Sequence, residues 1–201
     1  MCIRDSPSDE SNSKILARLD WNINDANHLA VRYNYTNNTS WMRPNDSSMD
    51  GGTRSPYSRT SLYSMAFANS MYSMNNLVHS VSVDLNSRIS DNLSNQFLAT
   101  FSKLDDVRGT NSSEFPFIDI QDGTGTNTQY MSLGYELFTW NNAVHNTIAN
   151  IKDDITYYVG SHKVTAGLSY EYQMADNAYM RNGTGYYLSL IHISEPTRRS
   201  Y

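Results

Sequence analysis

The sequence is poor in cysteine, in charge and in long hydrophobic runs. Its single cysteine is Cys2, and a chain with so little cysteine fits several compartments. No stretch approaches the roughly 18–20 consecutive apolar residues of a transmembrane helix, which excludes a helical membrane protein. The net charge of −5 at pH 7 argues against a nucleic-acid partner, which favours a basic patch. A mean hydropathy of −0.58 leaves a membrane β-barrel open, because barrel strands alternate polar and apolar residues.

The two ends of the sequence resemble one DNA element translated in opposite directions. Residues 188–193, LSLIHI, back-translate as CTG TCT CTT ATA CAC AT, and the reverse complement of that string encodes MCIRDS at the start of the chain. The element resembles the transposase adapter used to prepare sequencing libraries. We therefore assign residues 1–6 and 188–201 to adapter and exclude them from fold reasoning. Residues 7–187 are expected to be an internal piece of a longer protein.

Three pairs of segments alternate apolar and polar residues, and a short polar turn joins the two segments of each pair. The segments are, in order, residues 15–23 and 29–35, residues 77–89 and 93–101, and residues 149–159 and 164–172. The turns are residues 24–27, 90–92 and 160–162. Period-two alternation on both sides of turn-forming residues predicts a β-hairpin. The sequence therefore predicts six strands in three hairpins.

The connections at the two ends of these hairpins differ in length. One end has the short turns, whereas the other has the long connections of residues 37–76 and 104–146. Loops longer than roughly 12–15 residues are uncommon in compact soluble domains and usually carry function. Short turns at one end and long loops at the other are the layout of outer-membrane barrels. The sequence thus predicts an all-β, antiparallel up-and-down meander that is part of a transmembrane β-barrel over residues 7–187.

Six strands are too few to close a membrane barrel, since such barrels begin at about eight strands. We therefore expect one open sheet with free edges and an exposed apolar face. Within the loops, residues 63–72 and 130–140 are expected to extend the strands.

Aromatic residues near the strand ends are expected to form the two girdles of a membrane-spanning wall. On the side of the short turns these are Trp21 and Tyr157, and on the loop side Tyr35, Phe101, Tyr170 and Tyr172. The alternative is that aromatic residues are simply common in strands. Asp153 does not fit, because it falls on the apolar side of its strand. Either a bulge redirects its side chain, or the residue lies at the membrane interface.

Several segments are similar in order, spacing and character to the barrel of TonB-dependent outer-membrane receptors. They are KILARLDWNINDANHLAVRYNYTN, SMYSMNNLVHSVSVDLNSRISDNLSNQFLATFS, FPFIDIQDG and DDITYYVGSHKVTAGLSYEY. The chain looks closest to the subgroup with an N-terminal carboxypeptidase-regulatory-like domain, and the resemblance covers residues 14–180. It implies a barrel of roughly 22 strands around an N-terminal plug. It also implies residence in the bacterial outer membrane, contact with lipid, and coupling to the TonB complex through a plug that this chain lacks.

The loops are the expected place for ligand contact. The first long loop mixes aromatic and basic side chains, as a ligand-capturing loop does: Trp41, Arg43, Arg54, Tyr57 and Arg59. An ordinary solvated loop is the alternative. The resemblance implies a siderophore, cobalamin, a glycan or a peptide as the ligand, and the sequence does not choose among them.

No enzymatic site is expected. The histidines are scattered without HExxH spacing, and no GxSxG or SxxK motif occurs. The carboxylates of the second long loop match no EF-hand or Ca²⁺ repeat, so neither a metal nor a cofactor is predicted. The alternatives to a receptor are a passive porin or another barrel without TonB, and a surface-exposed β-sandwich adhesin. The adhesin would pack its apolar face against a second sheet.

Overall fold

The computed structural model describes residues 10–46, 58–123 and 128–190, and in these ranges the protein is built from β-strands and one short 3-10 helix. The strands are β1 (Ser11–Asn24), β2 (Asn27–Met42), β3 (Met65–Ala66), β4 (Tyr72–Ser90), β5 (Leu93–Thr110), β6 (Phe117–Gln121), β7 (Gln129–Leu133), β8 (Ala143–Val159), β9 (His162–Ala178) and β10 (Tyr186–Leu190). The 3-10 helix spans Ala68–Ser70. None of the described helical residues belongs to a helix that is long and apolar enough to cross a membrane.

Six long strands form one antiparallel meander, which we call the main sheet. Its strand order is β1-β2-β4-β5-β8-β9, so each long strand lies beside its successor. Within the described residues β1 and β9 each pair on one side only, and the sheet does not close. The predicted hairpins, the meander and the open sheet are therefore confirmed.

The strand register places residues of the same character in rows across the main sheet. One row joins Leu19, Val31, Val83, Ala99, Ile151 and Tyr170. The next row along the strands joins Arg18, Arg32, Ser82, Thr100, Asn150 and Glu171. Successive residues of a strand point to opposite faces, so an unshifted register keeps the two sets apart. The register shifts in the main sheet lie beside two turns, at 22/24 and 88/90, where they leave these rows undisturbed.

The long strands extend further toward the loops than the sequence predicted. β2 continues to Met42 and β4 starts at Tyr72, so the first loop is residues 43–71 rather than 37–76. β5 continues to Thr110 and β8 starts at Ala143, so the second loop is residues 111–142 rather than 104–146. The added residues lack apolar alternation, but the neighbouring strand supplies a hydrogen-bonding ladder for them. Pairing with a partner strand therefore set these boundaries.

The loops build a second sheet of four short strands, which we call the loop sheet. Its order is β10-β6-β7-β3, with β6 and β7 antiparallel and the two outer pairs parallel. Its strands come from the first loop, the second loop and the segment after β9. The expectation that residues 63–72 and 130–140 simply extend the main strands is therefore wrong for β3 and β7, although Tyr72 does begin β4. The last residues of β10, Leu188 to Leu190, lie in the range assigned to adapter, and that assignment stays a prediction.

Candidate functional site

The main sheet has an apolar face that nothing in the described part of the chain covers. Its side chains are widely exposed: Leu168 is 83% exposed, and Leu19 and Tyr170 are each 66% exposed. Contiguous apolar surface of this kind marks a site of contact with protein or with a membrane. The apolar face is therefore the largest candidate functional surface of the chain.

The six predicted girdle aromatics all lie on this apolar face. Trp21 and Tyr157 lie close to the short turns, whereas the other four lie near the middle of the long strands: Tyr35, Phe101, Tyr170 and Tyr172. Phe101 and Tyr172 flank Ala149 in a single row. Their common face agrees with the predicted alternation, whereas their arrangement as two membrane girdles stays a prediction.

Asp153 remains on the apolar face. The pairing of β5 with β8 has no register shift, so the suggested bulge is wrong. Its carboxylate instead accepts a hydrogen bond from Asn95 Nδ2 at 2.6 Å. The polar pair satisfies part of the hydrogen-bonding demand that a carboxylate beside apolar neighbours creates.

The opposite face of the main sheet, here called the polar face, carries side-chain hydrogen bonds between strands and ion pairs along them. Ser80 and Ser102 share a hydrogen bond at 2.8 Å. Lys152 lies 2.6 Å from Asp154 on the same strand. One face is thus suited to water and the other to an apolar environment.

Of the five predicted ligand-contacting residues, the three that the structure describes do not share one surface. Trp41 lies in β2 opposite Ser73 and is half-buried, and Arg43 is exposed just after that strand. Arg54 and Tyr57 fall outside the described residues. Arg59 is completely buried.

Arg59 is buried because it forms an ion pair with Asp119 of β6. Its Nη2 lies 2.5 Å from Asp119 Oδ2 and its Nε lies 3.0 Å from Oδ1, and both side chains are 1% exposed. The guanidinium also donates to the carbonyl oxygen of Asn45 and stacks over the Phe117 ring at 4.9 Å. Its donors are therefore used within the protein.

Asp119 is the centre of a larger network that joins the loops. Beyond Arg59, it accepts hydrogen bonds from Gln129 Nε2 at 2.8 Å, Ser132 Oγ at 2.7 Å and the Tyr186 hydroxyl at 2.9 Å. These donors come from the first loop, the second loop and the segment after β9. Burial and the nearby carboxylate raise the pKa of Tyr186 to about 12. One carboxylate thus ties three segments together.

No local sequence signal predicts this network. Asp119 is one of several carboxylates in the second long loop, and Gln129, Ser132 and Tyr186 belong to no motif. Their partners are distant in sequence, so only the tertiary structure brings them together. Within the described ranges, no group of three or more His, Cys, Asp or Glu side chains is placed to hold a metal ion.

A second buried carboxylate lies where the loops meet the main sheet. Glu136 is 2% exposed, and its Oε2 accepts hydrogen bonds from the Phe138 backbone N–H at 2.9 Å and from Thr139 Oγ1 at 2.7 Å. Arg108 of β5 lies 3.4 Å from the same oxygen and stacks over the Tyr72 ring. This contact fixes the second loop to the ends of the long strands.

Comparison with known proteins gives one family. A family model for an outer membrane beta barrel domain matches residues 2–189. No curated protein and no solved structure matches the chain.

Proposed function

This chain belongs to the family of outer membrane beta barrel domains, and from that membership we propose that it is a barrel-wall segment of a TonB-dependent receptor. Such a receptor takes up a ligand across the bacterial outer membrane at the expense of energy supplied from the inner membrane.

The wall role follows from the two faces of the main sheet. A barrel presents its apolar face to lipid and satisfies every backbone polar group between strands. Here the apolar face contacts the lipid of the bacterial outer membrane, and the polar face lines the lumen. Barrels of this membrane have short turns on the periplasmic side and long loops outside. The loop sheet therefore lies on the outside of the cell.

The loop sheet is the observation that carries the receptor proposal. A tilted strand needs roughly 9–11 residues to cross the membrane, whereas β4 has 19 residues and β5 has 18. The additional length lifts the loops above the membrane. There the Asp119 network holds three of them in one arrangement. A surface that captures a ligand needs this fixed geometry, because ordering loops only on binding reduces affinity.

The partners of the proposed receptor lie outside this chain. The TonB complex would act through a plug domain, so no residue here is assigned to the energised step. The ligand is a small molecule of the siderophore, cobalamin, glycan or peptide class, bound above the lumen. We propose no enzymatic activity, cofactor or metal for this segment.

The alternatives differ in testable ways. A passive porin has the same wall but no plug, so its lumen stays open. A β-sandwich adhesin would bury the apolar face against a second sheet. The loop sheet does not cover that face in the described chain, which makes the adhesin the weaker alternative.

The experiment uses the full-length protein encoded by the source gene, recovered by long-read sequencing across both ends of this reading frame. The purified protein is inserted into a planar lipid bilayer and its conductance is compared with that of a variant lacking the domain upstream of the barrel. A plugged receptor gives a closed wild type and an open variant. A wild type that conducts continuously identifies a passive porin.

Uptake is then measured in cells with and without TonB, using a panel of the four ligand classes. Uptake that requires TonB supports the receptor. Ligand entry that is unchanged without TonB contradicts it, even if the bilayer experiment finds a closed lumen.

A further inference from the structure

The polar face carries a group of basic side chains at one edge of the main sheet. Lys14 and Arg18 lie on β1, four residues apart on the same face, and Arg32 lies on β2 directly opposite Arg18. We call these three residues the basic cluster. The whole chain has a net charge of −5, so a concentration of positive charge here runs against its overall balance.

The two arginines of the cluster differ in their surroundings. Arg18 is neutralised by Asp20, with Nε and Nη2 at 2.6 and 2.7 Å from the two carboxylate oxygens. Within the described residues, Arg32 and Lys14 form no hydrogen bond or ion pair. Like charges directly opposite each other in neighbouring strands are destabilising. The register therefore places a guanidinium without a carboxylate partner opposite another guanidinium.

Two carboxylates of the polar face, Asp20 and Asp84, lie near the basic cluster and interact with other side chains. Asp20 also lies 3.5 Å from His28 Nε2. Asp84, one step further along β4, accepts hydrogen bonds from Asn86 at 2.9 Å and Gln96 at 3.3 Å. Neither of them forms an ion pair with Arg32.

The remaining surroundings of Arg32 suit an anion. A depression on the polar face is lined by Lys14 and Arg32, by the polar side chains of Asn34, Ser80 and Ser82, and on the β1 side by the apolar residues Ile15 and Leu16. Amide and hydroxyl groups donate hydrogen bonds to anionic oxygens, and a guanidinium offers two parallel N–H donors to a carboxylate or phosphate. No acidic side chain lines this depression.

We propose that the basic cluster is an anion-binding site on the lumen side of the barrel wall, centred on Arg32, which takes a carboxylate or phosphate group. An anion there would give Arg32 the kind of partner that Arg18 already has in Asp20. The site is independent of energised uptake, since an anion in transit would meet it in a receptor and in a passive porin alike. Its failure would therefore leave the proposed function untouched.

The test titrates inorganic phosphate into the full-length protein in detergent at low ionic strength and follows ³¹P line broadening. Low salt is needed because exposed charges are screened within about 10 Å at 0.1 M. We expect saturable binding that Arg32→Gln weakens by roughly tenfold, the loss typical of one charge-assisted contact. Lys14→Gln, in the edge strand β1, should also lower the affinity for phosphate. It is the variant to measure if Arg32→Gln does not fold.

The matched control is Arg88→Gln, which removes the same charge from the polar face near the turns. Phosphate affinity should be unchanged in this control. Equal losses for Arg32→Gln and Arg88→Gln would mean that only diffuse charge attracts phosphate, which overturns the site. Absence of saturable binding in the wild type also overturns it.

Discussion

Removal of the Asp119 side chain should open the loop sheet while leaving the main sheet intact. The Asp119→Ala variant leaves the Arg59 guanidinium buried without its carboxylate. It also takes the acceptor away from Gln129, Ser132 and Tyr186. The main sheet keeps its own hydrogen-bonding ladders, so the damage is confined to the segments that this network joins.

The magnitude follows from the burial of the ion pair. Both side chains are 1% exposed, and breaking a buried pair by deleting one partner costs about 3–5 kcal/mol. About 1.4 kcal/mol is a factor of ten in an equilibrium constant. The equilibrium constant for opening the loop sheet should therefore rise by at least roughly 100-fold, and by more than 1000-fold at the upper end of this range. If the free energy of opening the loop sheet is smaller than this cost, its amides should lose their protection from exchange entirely.

Hydrogen–deuterium exchange of the full-length protein in detergent measures this opening strand by strand. Amides of β6 and β7 should exchange much faster in Asp119→Ala, while those of β4 and β5 should not change. Glu114→Ala, which removes an exposed carboxylate from the same loop, is the control. Adding Arg59→Ala to Asp119→Ala should cost little more, because the partner is already gone. Equal exchange of β6 in Asp119→Ala and Glu114→Ala would refute the reasoning.

Three further predictions concern single positions. Because the pKa of Tyr186 is raised from 10 to about 12, its contribution to stability is complete below pH 10 and is lost as the pH rises through 12. Exchange of β6, which carries Asp119, should therefore become faster in this window in the wild type but not in Tyr186→Phe. Asp153→Leu should raise the free energy of unfolding from lipid vesicles by about 1 kcal/mol, since a carboxylate facing lipid is unfavourable. A guanidinium titration that gives the variant a lower free energy of unfolding than the wild type would contradict this. Gly160→Ala should lower that free energy by about 1 kcal/mol, because Gly160 has φ +57° and open space around its Cβ position. Equal denaturation midpoints for Gly160→Ala and wild type would contradict the assignment of strain at this turn.

The candidate sites were only partly accessible to sequence reasoning. Alternation placed the girdle aromatics on one face, because strand geometry alone decides which side chains share a face. The same reasoning offered Arg59 as an exposed ligand contact, and the structure buries it. The sequence shows that Arg59 is a basic residue in a loop. Whether its side chain is exposed depends on Asp119, which lies 60 positions further along the chain. Local sequence carries no record of such a partner.

The sequence by itself determined the meander. Period-two alternation fixes the faces, and short turns such as 160–162 fix the two strands of each hairpin as neighbours. The pairing of β2 with β4 and of β5 with β8 spans the long loops and is not fixed by a turn. The tertiary structure decided where the strands end and what the loops do. Polar residues of β2 such as Asn38 and Thr39 become strand because β1 and β4 supply hydrogen-bonding partners on either side. The loop sheet assembles β3, β6, β7 and β10 from segments far apart in the chain, and its hub at Asp119 exists only once they meet. Local periodicity cannot encode contacts that form only when two long loops and the segment after β9 come together.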